Sequence, residues 1–152
     1  MRLPEPYTFF IDRCLGTGDV GVALQAAGLD VRLHDAVYAQ DTPDEDWLRD
    51  VGARGWIVLT KDGRIRRNQA QITALMHARV AAFVLTSAGL SGAEQATAFV
   101  KAAKRMHGLL QAHQVPFIAT VTRDGGVETF MSHRWRQDRD GRWHAPTGGR
   151  PG

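Results

Sequence analysis

Apolar positions along the chain form short continuous runs, and segments with helical spacing separate these runs. The runs at 9–11 and 56–59 are apolar at consecutive positions, which is typical of strands buried on both faces of a parallel sheet. Gly, Pro, Asp and Ser stand between the segments and mark turns. The pattern predicts strands at 7–12, 29–34, 55–60, 80–86, 116–122 and 127–131, and helices at about 18–27, from Pro43, at 65–76 and from Ser91 to His113.

The order of these elements predicts the fold class. Strands that alternate with helices indicate an α/β fold, in which right-handed crossovers place helices on both faces of the sheet. We therefore expect a three-layer sandwich with a central, mainly parallel sheet of about five strands and a short C-terminal β extension. The predicted division is a domain at 1–131 and an extension at 132–152, whose Gly- and Pro-rich end is expected to be loose.

The C-terminal extension interleaves basic and aromatic residues. Its members include Arg134, Trp135, Arg136, Arg139, Arg142 and Trp143. Such a segment can bind RNA through stacking and charge, or it can dock on a partner. Alternatively, it packs on the domain as a small hairpin closed by Asp140 and Gly141. All three interpretations stay open at the level of the sequence.

The composition excludes several classes of protein. Apolar residues make up 43% and charged residues 23% of the 152 positions, as is ordinary for a folded soluble chain. No apolar run approaches the roughly 20 residues that cross a bilayer, and the N-terminus lacks the apolar segment of a secretion signal. With Cys14 as the one cysteine, neither an internal disulfide nor a cysteine-based zinc site is expected. We predict a cytoplasmic protein without membrane contact, in which Cys14 is a small buried apolar residue.

Charge is divided unevenly along the chain, whose formal net charge is +3. Acids outnumber Lys and Arg in residues 1–62, whereas Lys and Arg strongly outnumber acids in residues 63–152. Clustered acids can bind a divalent cation, and a basic surface attracts phosphate backbones. The distribution favours two surface roles, one for each half of the chain.

Acidic residues follow two of the predicted strands. Asp12 ends the first strand and Asp62 lies just past the third, so both are expected at the carboxyl edge of the sheet, where open α/β folds bind ligands. Asp44 and Asp46 begin a helix and reach this edge only if the loop 35–40 folds back over it. Carboxylates that converge repel one another, and a hard cation such as Mg²⁺ or Mn²⁺ offsets this repulsion. The sequence therefore suggests a metal site, although the same acids can serve only as helix or turn caps.

Three sequence blocks resemble the ordered signatures of PIN-like domains, and the similarity is greatest to the short bacterial branch related to VapC-type toxin ribonucleases. The blocks are FFIDRCL at 9–15, PDEDWL at 43–48 and WIVLTKD at 56–62, within a resemblance that covers roughly residues 7–122. The resemblance implies a metal-dependent ribonuclease fold and a partner antitoxin. By position, it also implies metal-binding and catalytic roles for Asp12, Asp44 and Asp62, a fourth metal ligand at Asp46 and a supporting role for Thr60.

We therefore predict an Mg²⁺- or Mn²⁺-dependent endoribonuclease, the toxin of a toxin–antitoxin pair, which hydrolyses RNA phosphodiester bonds with a metal-activated water. Arg13, Arg64, Arg66 and Arg67 lie beside the acids in sequence and are the candidate RNA-binding residues. The arginines after Asp62 have a second interpretation, which is to balance the charge of the acid cluster. A homodimer is compatible with the sequence.

Two alternatives to this function are left open. Many PIN relatives have an acid and an aromatic residue directly after the Thr-Lys-Asp block, where this chain has Gly63, Arg64 and Ile65. A catalytically impaired PIN-like module that binds RNA or protein is therefore the first alternative. The second is a dinucleotide-binding protein, because residues 16–21 read G-x-G-x-x-G and Asp35 follows at a suitable distance.

Overall fold

A six-stranded sheet forms the centre of the protein, in a computed structural model that describes residues 2–16 and 18–146. The strand order is β2-β1-β3-β4-β5-β6, and all neighbours are parallel except β5 and β6. This confirms the predicted α/β class with a mainly parallel central sheet. The strands are β1 Thr8–Ile11, β2 Asp30–Leu33, β3 Ile57–Thr60, β4 Ala81–Leu85, β5 Phe117–Val121 and β6 Val127–Met131.

Six helices are described, together with one 3₁₀ turn, Arg13–Leu15, that directly follows β1. The helix predicted from Ser91 begins with a capping box, in which the Ser91 hydroxyl accepts from the N–H of Glu94 while the Glu94 carboxylate accepts from the N–H of Ser91. Within the described ranges, no helix is long and apolar enough to span a membrane. The helices are α1 Asp19–Ala26, α2 His34–Val37, α3 Asp44–Arg54, α4 Arg64–Arg67, α5 Gln69–His77 and α6 Gly92–Ala112.

Two hydrophobic cores lie on opposite faces of the sheet. Side chains alternate along each strand, so Phe9 and Ile11 enter one core while Phe10 enters the other. Helices α1 and α6 cover the first core, and α3 and α5 cover the second. This arrangement is the predicted three-layer sandwich. It also explains why the central strands are apolar at consecutive positions, since both of their faces are buried.

The structure corrects three details of the predicted elements. The helix predicted at 65–76 is divided into α4 and α5, because Asn68 leaves the helical region and caps α5 by accepting from the N–H of Gln71. The predicted loop 35–40 begins inside the short helix α2. The helix predicted from Pro43 begins at Asp44, with Pro43 as its N-cap, and no side chain caps this helix.

The C-terminal extension contains a second, two-stranded sheet that packs against α5. Strands β7 Arg136–Gln137 and β8 Trp143–His144 pair antiparallel, with Gly141 at a left-handed φ of 86° in their turn. Hydrogen bonds from Gln137 Nε2 at 2.9 Å and Trp143 Nε1 at 3.0 Å to Thr73 Oγ1 join this hairpin to the domain. The structure therefore favours the packed-hairpin interpretation. The boundary at residue 131 stays a prediction, and the end predicted to be loose lies mostly outside the described residues.

Candidate functional site

Three of the predicted acids line one cavity at the carboxyl edge of the sheet. Strands β1 and β3 are parallel neighbours, and the backbone N–H of Asp12 donates to the Leu59 carbonyl at 3.0 Å, so Asp12 lies beside the end of β3. Asp62 follows that strand, and Asp44 opens α3 above the same edge. Together they line a cavity of about 280 Å³, which we call the acid cavity. Gln40 and Thr42 also line it, so the segment before α3 does fold back over this edge, as the convergence requires.

Asp12 is held inside the acid cavity by neutral donors. The fully buried Thr60 donates its hydroxyl to Asp12 Oδ2 at 2.8 Å, and Cys14 Sγ lies 3.5 Å from the same oxygen. Burial raises the pKa of Asp12, and the hydrogen bond from Thr60 opposes this rise. Thr60 Oγ1 also accepts from the N–H of Asp62 at 3.0 Å. The buried hydroxyl of Thr60 therefore connects the turns that carry Asp12 and Asp62, and it lies where it can hold both turns in place.

Asp44 is held by two further donors that come from different helices. Trp47, one turn along α3, donates its Nε1–H to Asp44 Oδ1 at 3.0 Å. Gln71 on α5 donates from Nε2 to Asp44 Oδ2 at 2.7 Å. Each oxygen of this carboxylate thus accepts a hydrogen bond from a neutral side chain on α3 or α5, the helices that cover the second core.

A guanidinium supplies the positive charge among these carboxylates. Arg64 Nη2 lies 2.6 Å from Asp62 Oδ2, and Arg64 Nε donates to both oxygens of Asp62 at 3.0 and 3.1 Å. Arg64 Nη2 is also 3.7 Å from Asp44 Oδ2. Hydrogen bonding to Arg64 lowers the pKa of Asp62. Of the two interpretations of Arg64, this geometry favours the one in which it balances the acids.

The acid cavity fits a hard divalent cation in its chemistry but is not arranged as a metal-binding cluster. Carboxylates on both sides of one cavity are the ligand type that Mg²⁺ and Mn²⁺ prefer. In residues 2–16 and 18–146, however, no group of three or more His, Cys, Asp or Glu side chains is placed so that it could hold a metal ion. The Arg64 guanidinium, rather than a metal ion, supplies the positive charge between Asp62 and Asp44. Any cation that joins the acids therefore competes with this guanidinium.

The structure does not bring Asp46 to the acid cavity. Its side chain is 51% exposed on α3, and its carboxylate is 3.8 Å from Arg49 one turn along the same helix. Asp44 points toward the sheet edge, and a residue two positions further on a helix faces away from it. The predicted fourth metal ligand therefore lies on a separate surface.

A second cavity, of about 600 Å³, adjoins the acid cavity and is lined by Lys61, Arg66 and Arg67. We call it the basic cavity; it shares Cys14 and Asp62 with the acid cavity. The remaining predicted RNA-binding residue, Arg13, lines the acid cavity, where it pairs with Asp35 at 3.2 Å. The predicted arginines thus divide between two connected cavities.

Sequence reasoning missed several residues of the acid cavity. Cys14 was expected to be a small buried apolar residue; it is only partly buried, Sγ lies 3.2 Å from Thr60 Oγ1, and burial, followed by the charge of Asp12, raises the pKa of the thiol to about 11. His34 lines the cavity and is buried among aromatic rings. The i, i+3 spacing of Asp44 and Trp47 could have revealed their hydrogen bond. The contact of Gln71 with Asp44 has no local signal, because it depends on how α5 packs on α3.

Comparison with protein families gives one match. The family described as a PIN-like domain matches residues 7–87, which include β1 to β4 and the whole acid cavity. The chain belongs to the PIN-like family. Neither the curated proteins nor the solved structures contain a match to this chain.

Membership of the PIN-like family decides against the dinucleotide-binding alternative. The 3₁₀ turn Arg13–Leu15 separates β1 from Gly16, whereas a dinucleotide fingerprint needs its glycine turn directly after the strand. Asp19 also begins α1 and places negative charge where a pyrophosphate requires positive potential. The PIN-like fold is instead of a nuclease type, and its acid cavity lies at the edge where such folds place their chemistry.

Proposed function

We propose that this PIN-like protein is an Mg²⁺- or Mn²⁺-dependent endoribonuclease, and that it is the toxin of a toxin–antitoxin pair. The observation that carries the proposal is the convergence of Asp12, Asp44 and Asp62 on one cavity beside a basic one. Metal-dependent phosphodiester cleavage needs a hard cation near the scissile phosphate and positive charge along the strand. The two connected cavities provide residues for both requirements.

Asp12, Asp44 and Asp62 are the residues that would hold the metal. When bound, such a metal lowers the pKa of a water and offsets charge on the phosphate under attack. Thr60 keeps Asp12 oriented by its hydrogen bond at 2.8 Å. Lys61, Arg66 and Arg67 in the basic cavity bind the phosphates that flank the scissile bond, and Arg13 contributes at the rim of the acid cavity.

The residues in and beside the basic cavity suit RNA as the substrate. The basic cavity contains three cationic side chains against one acid, Asp62. Arg66 additionally lies over the ring of Phe130, with its guanidinium carbon 5.4 Å from the ring centroid. Guanidinium and aromatic groups side by side suit a single strand, since they can bind both phosphate and base.

A nuclease assay tests the proposed activity. We expect the purified protein to cleave a single-stranded RNA in Mn²⁺ and not in EDTA. Asp12→Asn should lower the rate at least about hundredfold, because the variant loses the charge that holds the cation. The matched control is Asp124→Asn, an exposed acid in the turn after β5 and outside both cavities. Equal rates for the wild type and Asp12→Asn would contradict the proposal.

A catalytically impaired RNA-binding module is the second candidate, and the ion pairs of Arg64 favour it specifically. A guanidinium paired with Asp62 and 3.7 Å from Asp44 offsets part of the charge of the acids without any metal. In that case the protein binds RNA through the basic cavity and cleaves nothing in Mn²⁺. Growth arrest on induced expression, lost with Asp12→Asn, separates the toxin from this module. An antitoxin partner, a homodimer and a cytoplasmic location stay predictions from the sequence.

A further inference from the structure

A third cavity, of about 440 Å³, lies at the opposite edge of the sheet from the acid cavity. Arg79 precedes β4, Val115 and Pro116 precede β5, and His133 follows the antiparallel β6, so all of them are at the amino ends of the parallel strands. The C-terminal hairpin closes the other side. We call this the aromatic cavity, and its side chains include Arg79, His133, Trp135, Arg136, Val115 and Trp143. One strand length, roughly 15 Å, separates it from the acid cavity.

The aromatic cavity has positive charge and no internal counter-charge. Arg79 and Arg136 line it, and among the described residues no Asp or Glu does. Arg136 Nη1 donates to the carbonyls of His133 at 3.3 Å and Arg134 at 3.0 Å, which fixes the loop without neutralising the guanidinium. An uncompensated pair of guanidinium groups around one cavity attracts an anion.

A buried polar atom of the aromatic cavity lacks a partner. His133 Nδ1 is shielded from solvent and has no hydrogen-bond partner within the part of the chain that the structure describes. Burial, and after it the charge of Arg134, lowers the pKa of His133, which favours the neutral imidazole. A buried nitrogen without a partner is costly unless a ligand satisfies it. The two arginines therefore indicate an anion as the ligand, and the buried nitrogen of His133 adds no preference for the charge of that ligand.

Two indole rings make the walls of the cavity rigid and flat. Trp143 is held by its hydrogen bond to Thr73 and by an edge contact with the ring of His77 at 6.1 Å. Trp135 stacks on Phe130 with ring centroids 6.4 Å apart. Because both rings are fixed by other contacts, a second aromatic group can pack against them with little loss of side-chain freedom. An aromatic anion fits this cavity better than a simple one.

We propose that the aromatic cavity binds a nucleotide, with the phosphate at Arg79 and Arg136 and the base against Trp135 and Trp143. The volume is within the range of about 300–1,000 Å³ that small-ligand sites occupy. The nucleotide comes either from the free pool or from a single-stranded RNA, and both sources share the same chemistry. The proposal goes beyond the nuclease activity, because the site lies at the other edge of the sheet and needs no metal.

Titration in EDTA tests this site separately from cleavage. The probes are AMP, inorganic phosphate and a fluorescein-labelled hexa-adenylate RNA, measured by calorimetry and anisotropy. We expect saturable binding of AMP, weakened about tenfold or more by Arg79→Gln and by Trp135→Leu. The matched control is Arg142→Gln, an exposed arginine of the same hairpin that does not line the cavity, and it should bind as the wild type does.

The pattern of results distinguishes the source of the nucleotide and the failure of each proposal. If the RNA binds at least tenfold tighter than AMP, and Arg79→Gln abolishes this difference, the natural ligand is a single-stranded RNA. If the two affinities are equal, the natural ligand is the free nucleotide. Asp12→Asn should bind AMP normally even if it abolishes cleavage. No saturable binding of AMP or RNA by the wild type overturns the proposal. The proposal is also overturned if inorganic phosphate binds as tightly as AMP, or if Arg142→Gln lowers the affinity for AMP as much as Arg79→Gln does.

Discussion

The acid cavity and the aromatic cavity lie at opposite edges of one sheet and differ in how their charges are satisfied. In the acid cavity, Asp12 has Thr60 as a donor and Asp62 has Arg64 as a counter-ion. In the aromatic cavity, no acid faces the arginines, and His133 Nδ1 has no partner among the described residues. The candidate catalytic site thus contains partners for its own carboxylates, whereas the aromatic cavity retains arginines that face no acid among the described residues.

This difference has consequences for ligand binding at each site. A cation that enters the acid cavity must displace the Arg64 guanidinium, so part of its binding free energy is lost in breaking an existing ion pair. An anion that enters the aromatic cavity breaks no such pair. The two cavities should therefore respond in opposite ways when an arginine is removed from each.

The largest effect is expected on the free energy of unfolding, from Thr60→Val, which removes a buried hydroxyl that hydrogen-bonds two residues of the acid cavity. The variant leaves Asp12 without the donor at 2.8 Å and the N–H of Asp62 without its acceptor. Loss of hydrogen bonds to a buried charged group should lower the free energy of unfolding by about 2–3 kcal/mol, measured by urea denaturation. The control is Thr8→Val, which also removes a Thr–Asp hydrogen bond, at 2.7 Å to Asp30, but an exposed one.

We expect Thr8→Val to change the free energy of unfolding by less than about 0.5 kcal/mol, because water replaces an exposed donor. If Thr60→Val is no more destabilising than Thr8→Val, the hydrogen bonds that Thr60 makes inside the acid cavity do not contribute to the stability of the protein. The contrast with the aromatic cavity then disappears.

The intermediate effect is an increase in metal affinity when Arg64 is removed. Arg64→Ala frees Asp62 and relieves Asp44 of a neighbouring cation, so Mn²⁺ should bind about tenfold tighter in calorimetric titration. Arg32→Ala is the matched control, since Arg32 pairs with Asp30 at the same sequence spacing and neither residue lines the acid cavity or the aromatic cavity. In Arg79→Gln, which changes the aromatic cavity, Mn²⁺ affinity should stay as in the wild type. Weaker Mn²⁺ binding by Arg64→Ala contradicts the role of Arg64 as a competing cation.

The sequence was sufficient to predict the fold and the location of the acid cavity. Consecutive apolar residues in β1, β3 and β4 indicated strands buried on both faces, and the rule that ligands bind at the carboxyl edge placed Asp12 and Asp62 together. The resemblance to PIN-like domains added Asp46 as a fourth metal ligand, although α3 turns its side chain away from this edge. Neighbouring acids on a helix look equivalent in sequence, and only the packing of the helix decides which one faces the sheet.

The aromatic cavity could not be predicted in the same way. Its residues come from the start of β4, the start of β5 and the C-terminal hairpin, and these segments meet only because the hairpin packs on α5 through Thr73. The mixture of Arg and Trp in the extension indicated a binding or packing role but not its position. Long-range packing of a short β extension leaves no periodic signal, because each of its strands contains only two residues.

The smallest effects concern the pH dependence of stability, and they have opposite signs for two acids of one cavity. Burial raises the pKa of Asp12, so the folded state disfavours its charged form, and stability falls as pH rises through the pKa of the unfolded chain. Asp12→Asn should therefore increase the free energy of unfolding at pH 7 in EDTA. This gain should shrink toward pH 3, where the carboxyl group of the wild type becomes neutral.

Asp62 should show the reverse behaviour, because its hydrogen bonds with Arg64 lower its pKa below that of the unfolded chain. Its contribution to stability is present above the unfolded pKa of about 3.9 and is lost as pH falls through the lower folded value. Asp62→Asn should therefore decrease the free energy of unfolding at pH 7, and this loss should become smaller as pH falls below about 3.9, in the same urea titrations. If both variants shift stability in the same direction at pH 7, Arg64 does not divide the acid cavity into a paired and an unpaired carboxylate. In that case the positive charge of Arg64 acts on all the carboxylates of the acid cavity alike. The acid cavity and the aromatic cavity then differ in their net charge, and not in whether individual polar groups have partners.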